Sequence, residues 1–327
     1  MPGTITLNGG VPTWFTDQFS SILYHVCQQK DSKFSQAVRV EPILNSEDKA
    51  FDMLDKLDLV QKEGRNPATP TTTVSTQRRW VSTTPWHQGV LFDKDDDLSM
   101  IVDPRSDVML ALRRAVNRKK DDIILAAFDA TVSSGRRNNS STITWAAQNG
   151  NVAYTTALAS ATTGGRTIIH DCAEGNCSSS DTGMTMEKME LVKEYFAFKD
   201  LDDDTPIWGA VSPAQATDLF GQEEYVNRDY GGADSLATGY IRKNFHGINW
   251  IVSTKVVKGT SNDLDADTSV FRCPFWAQDG IILGVQKDVS VEMSVRSDLS
   301  YSQQIYTHFN MGAMRMDEDR VVYVECQ

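Results

Sequence analysis

Four residues stand close enough together in the chain to suggest metal chemistry: His170, Asp171, Cys172 and Cys177. Imidazole, carboxylate and thiolate are all zinc ligands, so the mixture is chemically suitable. The spacing is not, because structural zinc sites pair ligands a few residues apart twice over and the chain holds no second pair. A polar surface loop with incidental thiols is the competing reading. Asp200, Asp202 and Asp204 resemble the opening of a calcium loop, in which alternating oxygens converge on the ion. Thr205 and Pro206 occupy the positions of its glycine and its backbone ligand, and Val211 stands where the closing Glu belongs. A solvated turn accounts for them better.

Enzymatic signatures fail elsewhere too. The chain has no G-x-x-x-x-G-K-S/T phosphate loop, no G-x-S-x-G elbow and no H-E-x-x-H pair. His25, His87, His170, His246 and His308 are scattered singly, so none has a neighbour in the chain to act as acid–base partner. The expectation is a protein with no catalytic site, no cofactor and no metal. A metal-dependent enzyme built around residues 170–177 is the most distant of the readings that remain.

Charge narrows the field further. Arg113, Arg114, Arg118, Lys119 and Lys120 form the densest basic cluster, but Asp121 and Asp122 follow at once. A solvated or subunit-facing side of a helix explains that pattern better than a phosphate-binding stripe. The chain carries 44 acidic against 32 basic residues, a net charge of -12. Wrapping of nucleic acid is disfavoured, because that affinity comes mostly from Lys and Arg neutralising phosphates. Acidity that simply keeps a protein soluble fits the charge equally well.

The elements that would position these residues are unevenly distributed. The 327 residues are 40% hydrophobic and 23% charged, enough apolar material for one large domain or two interleaved ones. No uninterrupted apolar run reaches the roughly 20 residues of a membrane helix. Met1 to Pro12 lacks the basic start and apolar stretch of a secretory signal, so a soluble, cytoplasmic protein is expected. Five cysteines, an odd number spread widely, suggest reduced thiols.

Residues 1 to about 100 show no long helical period. Asn66 to Thr73 is a proline-punctuated polar loop, Val74 to Val81 is rich in β-formers, and Val90 to Phe92 precedes an acidic turn at Asp93 to Asp97. Extended arms and a hairpin are expected, too poor in apolar residues to bury a core of their own. Their ordering entropy, about 1 to 2 kcal/mol per residue, must be offset by packing on another surface such as a second copy.

At Asp103 the pattern changes: Asp as N-cap and Pro104 at the first helical position open a long helix. Val108, Leu112, Ala115, Val116, Ile123, Ala127 and Ala130 supply its apolar stripe. Arg136 to Ile169 reads as an insertion with a hairpin. A second helix spans Met186 to about Phe198 with Thr185 as cap. The strand Ile207 to Val211 runs into Ser212, Pro213 and Gln215, a cap, a first-position Pro and a third-position Gln. Gly221 ends that short helix. Strands are expected at 248–252, 280–285, 289–295, 305–311 and 320–326, and the class is α+β.

This order of arm, extended hairpin, long helix, α/β segment and strand-rich close resembles the Hong Kong 97-type fold of tailed-phage major capsid proteins. Arg78, Arg79 and Trp80 fall where family members often carry an Arg-rich strand, and Asp103 and Pro104 open what would be the spine helix. Asp229, Tyr230 and Gly231, leading through Gly239, Tyr240 and Ile241 to Phe245, His246 and Gly247, resemble the family's lead-in to a strand. Gly312 to Val322 is similar to its closing strand pair. The resemblance covers nearly the whole chain.

It implies an N-terminal arm at 1–40, an extended loop at 41–102, a peripheral domain at 103–200 plus 286–327, and an axial domain at 201–285. It also implies self-assembly into hexamers and pentamers of an icosahedral head. The subunit would be built in the host cytoplasm and reside in the virion. A separate scaffolding protein, a portal, a possible decoration protein and weakly contacted double-stranded DNA are the implied partners, with no membrane. Arg78, Arg79, Trp80, Trp86, Arg113 and Arg114 are the candidate inter-subunit contacts. An encapsulin-like compartment shell shares the fold and is the alternative. Deletion of residues 66–84 is expected to leave a folded monomer that forms no shells.

Overall fold

The computed structural model describes residues 28–44, 46–62, 64–65, 69, 71, 73–92, 105–136, 139–143, 150–152, 165–168, 172–173, 176–177, 183–222, 244–256 and 271–326. The spine of the fold is a long antiparallel ribbon, β15 (Ile281–Arg296) against β16 (Ser302–Arg315). Two expected strands at 280–285 and 289–295 are thus one strand, irregular between Val285 and Ser290. The ribbon is flanked by β1 (Arg39–Pro42), parallel to β15, and by β4 (Thr84–Phe92), antiparallel to β16.

Helix α1 (Arg105–Asp129) lies along this ribbon and buries Leu112, Val116 and Ala127 of the expected stripe, together with Ile124 and Phe128, which the stripe did not include. Leu112 packs with Ile305 and Phe92, Val116 one turn on with Phe309 and Met311, and Ile124 and Phe128 enter the main core. Each such fully buried side chain stabilises by about 1.5–3 kcal/mol. The proposed cap at Asp103 and Pro104 lies outside the described residues.

A seven-stranded sheet holds the main core, in the order β12 (Asn244–Phe245), β13 (Ile248–Val252), β11 (Ile207–Val211), β14 (Phe271–Ala277), β17 (Val321–Cys326), β8 (Gly165–Ile168) and β7 (Gly150–Val152). Helices α2 (Met186–Phe198) and α3 (Pro213–Phe220) start as the sequence indicates. Thr185 accepts from the Lys188 N–H at 3.5 Å and Ser212 from the Gln215 N–H at 3.3 Å, satisfying N–H groups that have no partner within the helix. Gly221 caps α3 in the right-handed region, so its lack of a side chain is not what ends the helix.

Strand β14 was not foreseen, and its Pro274 would argue against a central strand. The structure resolves the conflict: β11 pairs with residues 275–277 and stops short of Pro274, so the missing N–H falls beyond that ladder. A third sheet joins β2 (Asp48–Leu54), β3 (Thr76–Ser82), β5 (Val132–Arg136) and β6 (Asn139–Ile143), and β9 (Cys172–Ala173) pairs with β10 (Asn176–Cys177). Strand β15 runs through the division at 285–286, and β17 joins the seven-stranded sheet instead of the ribbon packed on α1.

The expectation that the first hundred residues order only on another molecule is corrected. Phe34, Ala37, Val38, Ile43, Val81 and Phe92 are all buried within this chain. The Phe34 ring stacks near Trp276, whose indole N–H donates to the Ala37 carbonyl at 2.7 Å. Asp121, wholly buried, accepts from the Ser32 hydroxyl at 2.5 Å, from the Lys33 and Phe34 N–H groups at 3.2 and 3.4 Å, and from Gln29. An extended segment needs no helical or strand period to insert single side chains into a core that other elements have built.

Candidate functional site

Strands β2 and β3 form a hairpin closed near its end by the Asp55 N–H on the Ser75 carbonyl at 3.2 Å. Asp52 and Arg78 are directly opposite, and the guanidinium donates to both carboxylate oxygens at 2.5 and 2.8 Å. This fork beside it holds the Asp52 carboxyl below the usual aspartate range. Both groups face solvent, so the pair fixes register more than it adds stability.

Beyond the fork, exposed apolar side chains alternate with charged ones. Leu54, Leu57 and Val60 are largely exposed and Leu59 is 100% exposed. Exposed aliphatic side chains of this number suit an association surface, since covering each stabilises by roughly 1.5–3 kcal/mol. A second patch lies at the far end of the ribbon, where Val291, Met293 and Val295 alternate along β15 and Met293 is 53% exposed. Opposite them, Ile305 and Thr307 of β16 are buried, because α1 covers β16 there and leaves β15 uncovered. Arg296 clasps Asp298 in the turn at 2.6 and 2.8 Å, which holds the Asp298 carboxyl down at about 2.

The first patch belongs to the β2–β3 sheet and the second to the β15–β16 ribbon, whose strand β16 pairs with β4 from Met311 and Thr84 to Gln303 and Phe92.

A family model described as "Phage capsid protein" matches residues 11–327. The chain belongs to this phage capsid family. Its structure is similar to the capsid of the cyanophage P-SCSP1u, at 14% identity and a TM-score of 0.71, covering 100% of this chain and 99% of that one. It also resembles the capsid of cyanophage Pam1, at 12% identity and 0.69, with 98% of each chain covered. The capsid of Ralstonia phage GP4 follows at 12% and 0.67, covering 99% and 98%. No curated protein matches. At these identities the likeness is one of fold, the Hong Kong 97 type, and the family match makes the chain a major capsid protein that forms the shell.

The six candidate contact residues of this capsid protein are not brought to one surface. Arg78 faces outward on the hairpin, engaged by Asp52. Arg79 turns inward, 2% exposed, and forks onto Glu318 with both bonds at 2.5 Å. It therefore works inside the chain. Trp80 is half-buried and donates to the Gly135 carbonyl at 2.7 Å. Trp86, exposed on β4, lies under the Lys119 ammonium at 3.7 Å from the ring centre. Arg113 is exposed on α1 and Arg114 is half-buried beside it.

The basic cluster of α1 is partly engaged within the subunit: Arg118 donates to Gln28 at 2.5 Å, and Lys119 is the cation over Trp86. His170, Asp171 and the stretch from Asp229 to Ile241 lie outside the described residues. Cys172 and Cys177 are opposite each other in the β9–β10 pair. Among the described residues no three His, Cys, Asp or Glu side chains are grouped to hold a metal, and no helix is long and apolar enough to cross a membrane. Asp200, one of the calcium-loop candidates, instead faces Lys56 at 3.2 Å, both exposed.

The sequence reading missed both apolar patches. A signal for the first was present: Leu54, Leu57, Leu59 and Val60 stand in a charged stretch with no period that would bury them. The second carried none, since the alternation from Val289 to Val295 looks the same whether or not a neighbouring element covers it.

Proposed function

We propose that this capsid protein builds an icosahedral head of hexamers and pentamers by laying its β2–β3 hairpin on a neighbouring copy. The observation that carries the reading is the uncovered hairpin end around Leu59. Heterologous contacts of this kind close into rings when their rotations allow, and extended segments enlarge the contact without enlarging the core. Permanent interfaces of the class bury on the order of 2,000 Å² or more.

The sheets support a division of labour. Residues up to 40 are assigned to the arm, β2, β3 and β4 lie in the extended loop of 41–102, α1 with β16 belongs to the peripheral body, and β11, β13 and β14 belong to the axial part. Outward Arg78, Trp86 and Arg113 are the polar and aromatic contacts toward neighbours. A separate scaffolding protein and a portal complete the assembly in the host cytoplasm, and a decoration protein is an optional addition. The enclosed double-stranded DNA is touched only weakly, in keeping with the net charge of -12.

Removing 66–84 is a poor test, because it takes out buried Arg79 and Val81 and strands Glu318. Replacement of residues 55–75 by a tight turn joins Leu54 to Thr76 and spares both. The expected product is a folded monomer that forms no shells by electron microscopy. Normal closed shells from that variant would refute the reading.

A further inference from the structure

The hairpin leaves the subunit across a notch. Gly284 and Gly312 are directly opposite each other in the β15–β16 ribbon, and the hairpin base crosses there. A Cβ on Gly284 would stand 2.6 Å from Ile43 Cδ1 and 2.8 Å from Val81 Cγ1. A Cβ on Gly312 would drive into the Ser82 carbonyl oxygen and lie 2.9 Å from its carbon. Any side chain at either position would lift the crossing chain, which real contacts do not tolerate at these distances. Around the notch sits a small separate core of Ile43, Val81, Val132, Ile282 and Met314.

Beside it, three charged side chains form a clamp. Glu318 takes the fork of Arg79 from the hairpin and the Arg315 Nε at 3.2 Å from the end of β16. Arg315 also donates to the Phe128 carbonyl and, at 3.4 Å, to the Ala130 carbonyl, where α1 ends. Arg79 reaches the Arg315 carbonyl at 3.2 Å. Two cations share one carboxylate in the interior, and the negative end of the helix supplies the remaining compensation. Forked geometry constrains direction as well as distance. One cluster thus joins the hairpin, the long helix and the ribbon.

We propose that the Gly284–Gly312 notch and the Arg79–Glu318–Arg315 clamp form a single pivot that sets the angle at which the hairpin is presented, and thereby the curvature of the shell. The inference rests on the hairpin reaching a neighbouring copy. Arg79 and Glu318, both buried within the subunit, are positioning residues that act through the direction of the strand.

Two variants test it, Arg79→Lys, which keeps the charge and loses the fork, and Gly312→Ala, which fills the notch and keeps the charges. Hydrogen exchange is measured on the unassembled subunit, and particle diameters by cryo-electron microscopy. The pivot requires that amides of residues 76–82 exchange roughly tenfold to a hundredfold faster in Arg79→Lys, as loss of a charged hydrogen bond implies, while 207–211 and 321–326 keep their protection. Gly312→Ala must give the same selective pattern, and both variants must assemble with altered or heterogeneous diameters. Uniform loss of protection across all three strands would mean a merely structural role and overturn the pivot, as would wild-type diameters from both variants. If the wild-type chain formed no closed shells, the assembly reading would fail, and the exchange pattern would still decide whether the pivot exists.

Discussion

Truncating Phe34 to Ala asks whether the segment before β1 belongs to the core of its own subunit. Its ring is wholly buried and stacks at 6.1 Å from Trp276, which in turn meets Phe128 edge-on at 4.9 Å. Deleting a buried Phe ring loses its transfer free energy and leaves a cavity, together about 3–5 kcal/mol. Here the upper half of that range is expected, because Trp276 is pinned by its bond to Ala37 and cannot collapse into the space. A domain's entire stability is about 5–15 kcal/mol, so the loss is a large fraction. The assay is urea unfolding of the subunit below its assembly concentration, followed by tryptophan fluorescence. With a slope of about 3 kcal/mol per molar urea, the midpoint should fall by roughly 1.3–1.7 M. An unchanged midpoint would mean that residues 28–38 pack on a neighbouring copy, and the reasoning about the arm would collapse.

Three other outcomes follow from the same contacts. Asp121→Asn leaves one acceptor oxygen where the carboxylate had two to serve Ser32, Lys33 and Phe34, so stability should drop by about 1–3 kcal/mol and proteolysis near residues 28–35 should quicken. Trp80→Phe removes the donor to the Gly135 carbonyl and should lower the unfolding midpoint by the equivalent of about 1 kcal/mol, with shells still forming. Asp52 has a folded-state pKa depressed by Arg78, so its contribution is present above the unfolded value of about 3.9 and is lost as pH falls through the lower folded value. Carboxyl NMR should place its midpoint below that of a free aspartate, and Arg78→Gln should restore the ordinary value; no change on substitution would remove the fork from the account.

Features with local causes were legible in the chain before any fold was known. Ser212, Pro213 and Gln215 open a helix because a cap, a ring-fixed φ and a third-position polar residue act within one turn. Part of the stripe of α1 and strands such as β11 and β13 follow from spacing alone, and the order of elements was enough to resemble the capsid family. Motif searches and the -12 charge likewise needed only the sequence.

Tertiary structure decided whatever depended on distant partners. Arg78 and Arg79 are chemically identical neighbours on opposite faces of one strand. Only the arrival of Glu318, 239 residues away, makes the second a buried clamp while the first stays outside. Asp121 read as one more charge in a mixed cluster until residues 29–34 closed over it. Pro274 could lie in a central strand because the neighbouring ladder ends one residue early. Val291, Met293 and Val295 became a surface because α1 meets Ile305 on β16 there, whereas on β15 its cluster takes in only Val285 and Val289. Local geometry is written in neighbouring residues, whereas which face is covered depends on how far each element reaches across the others.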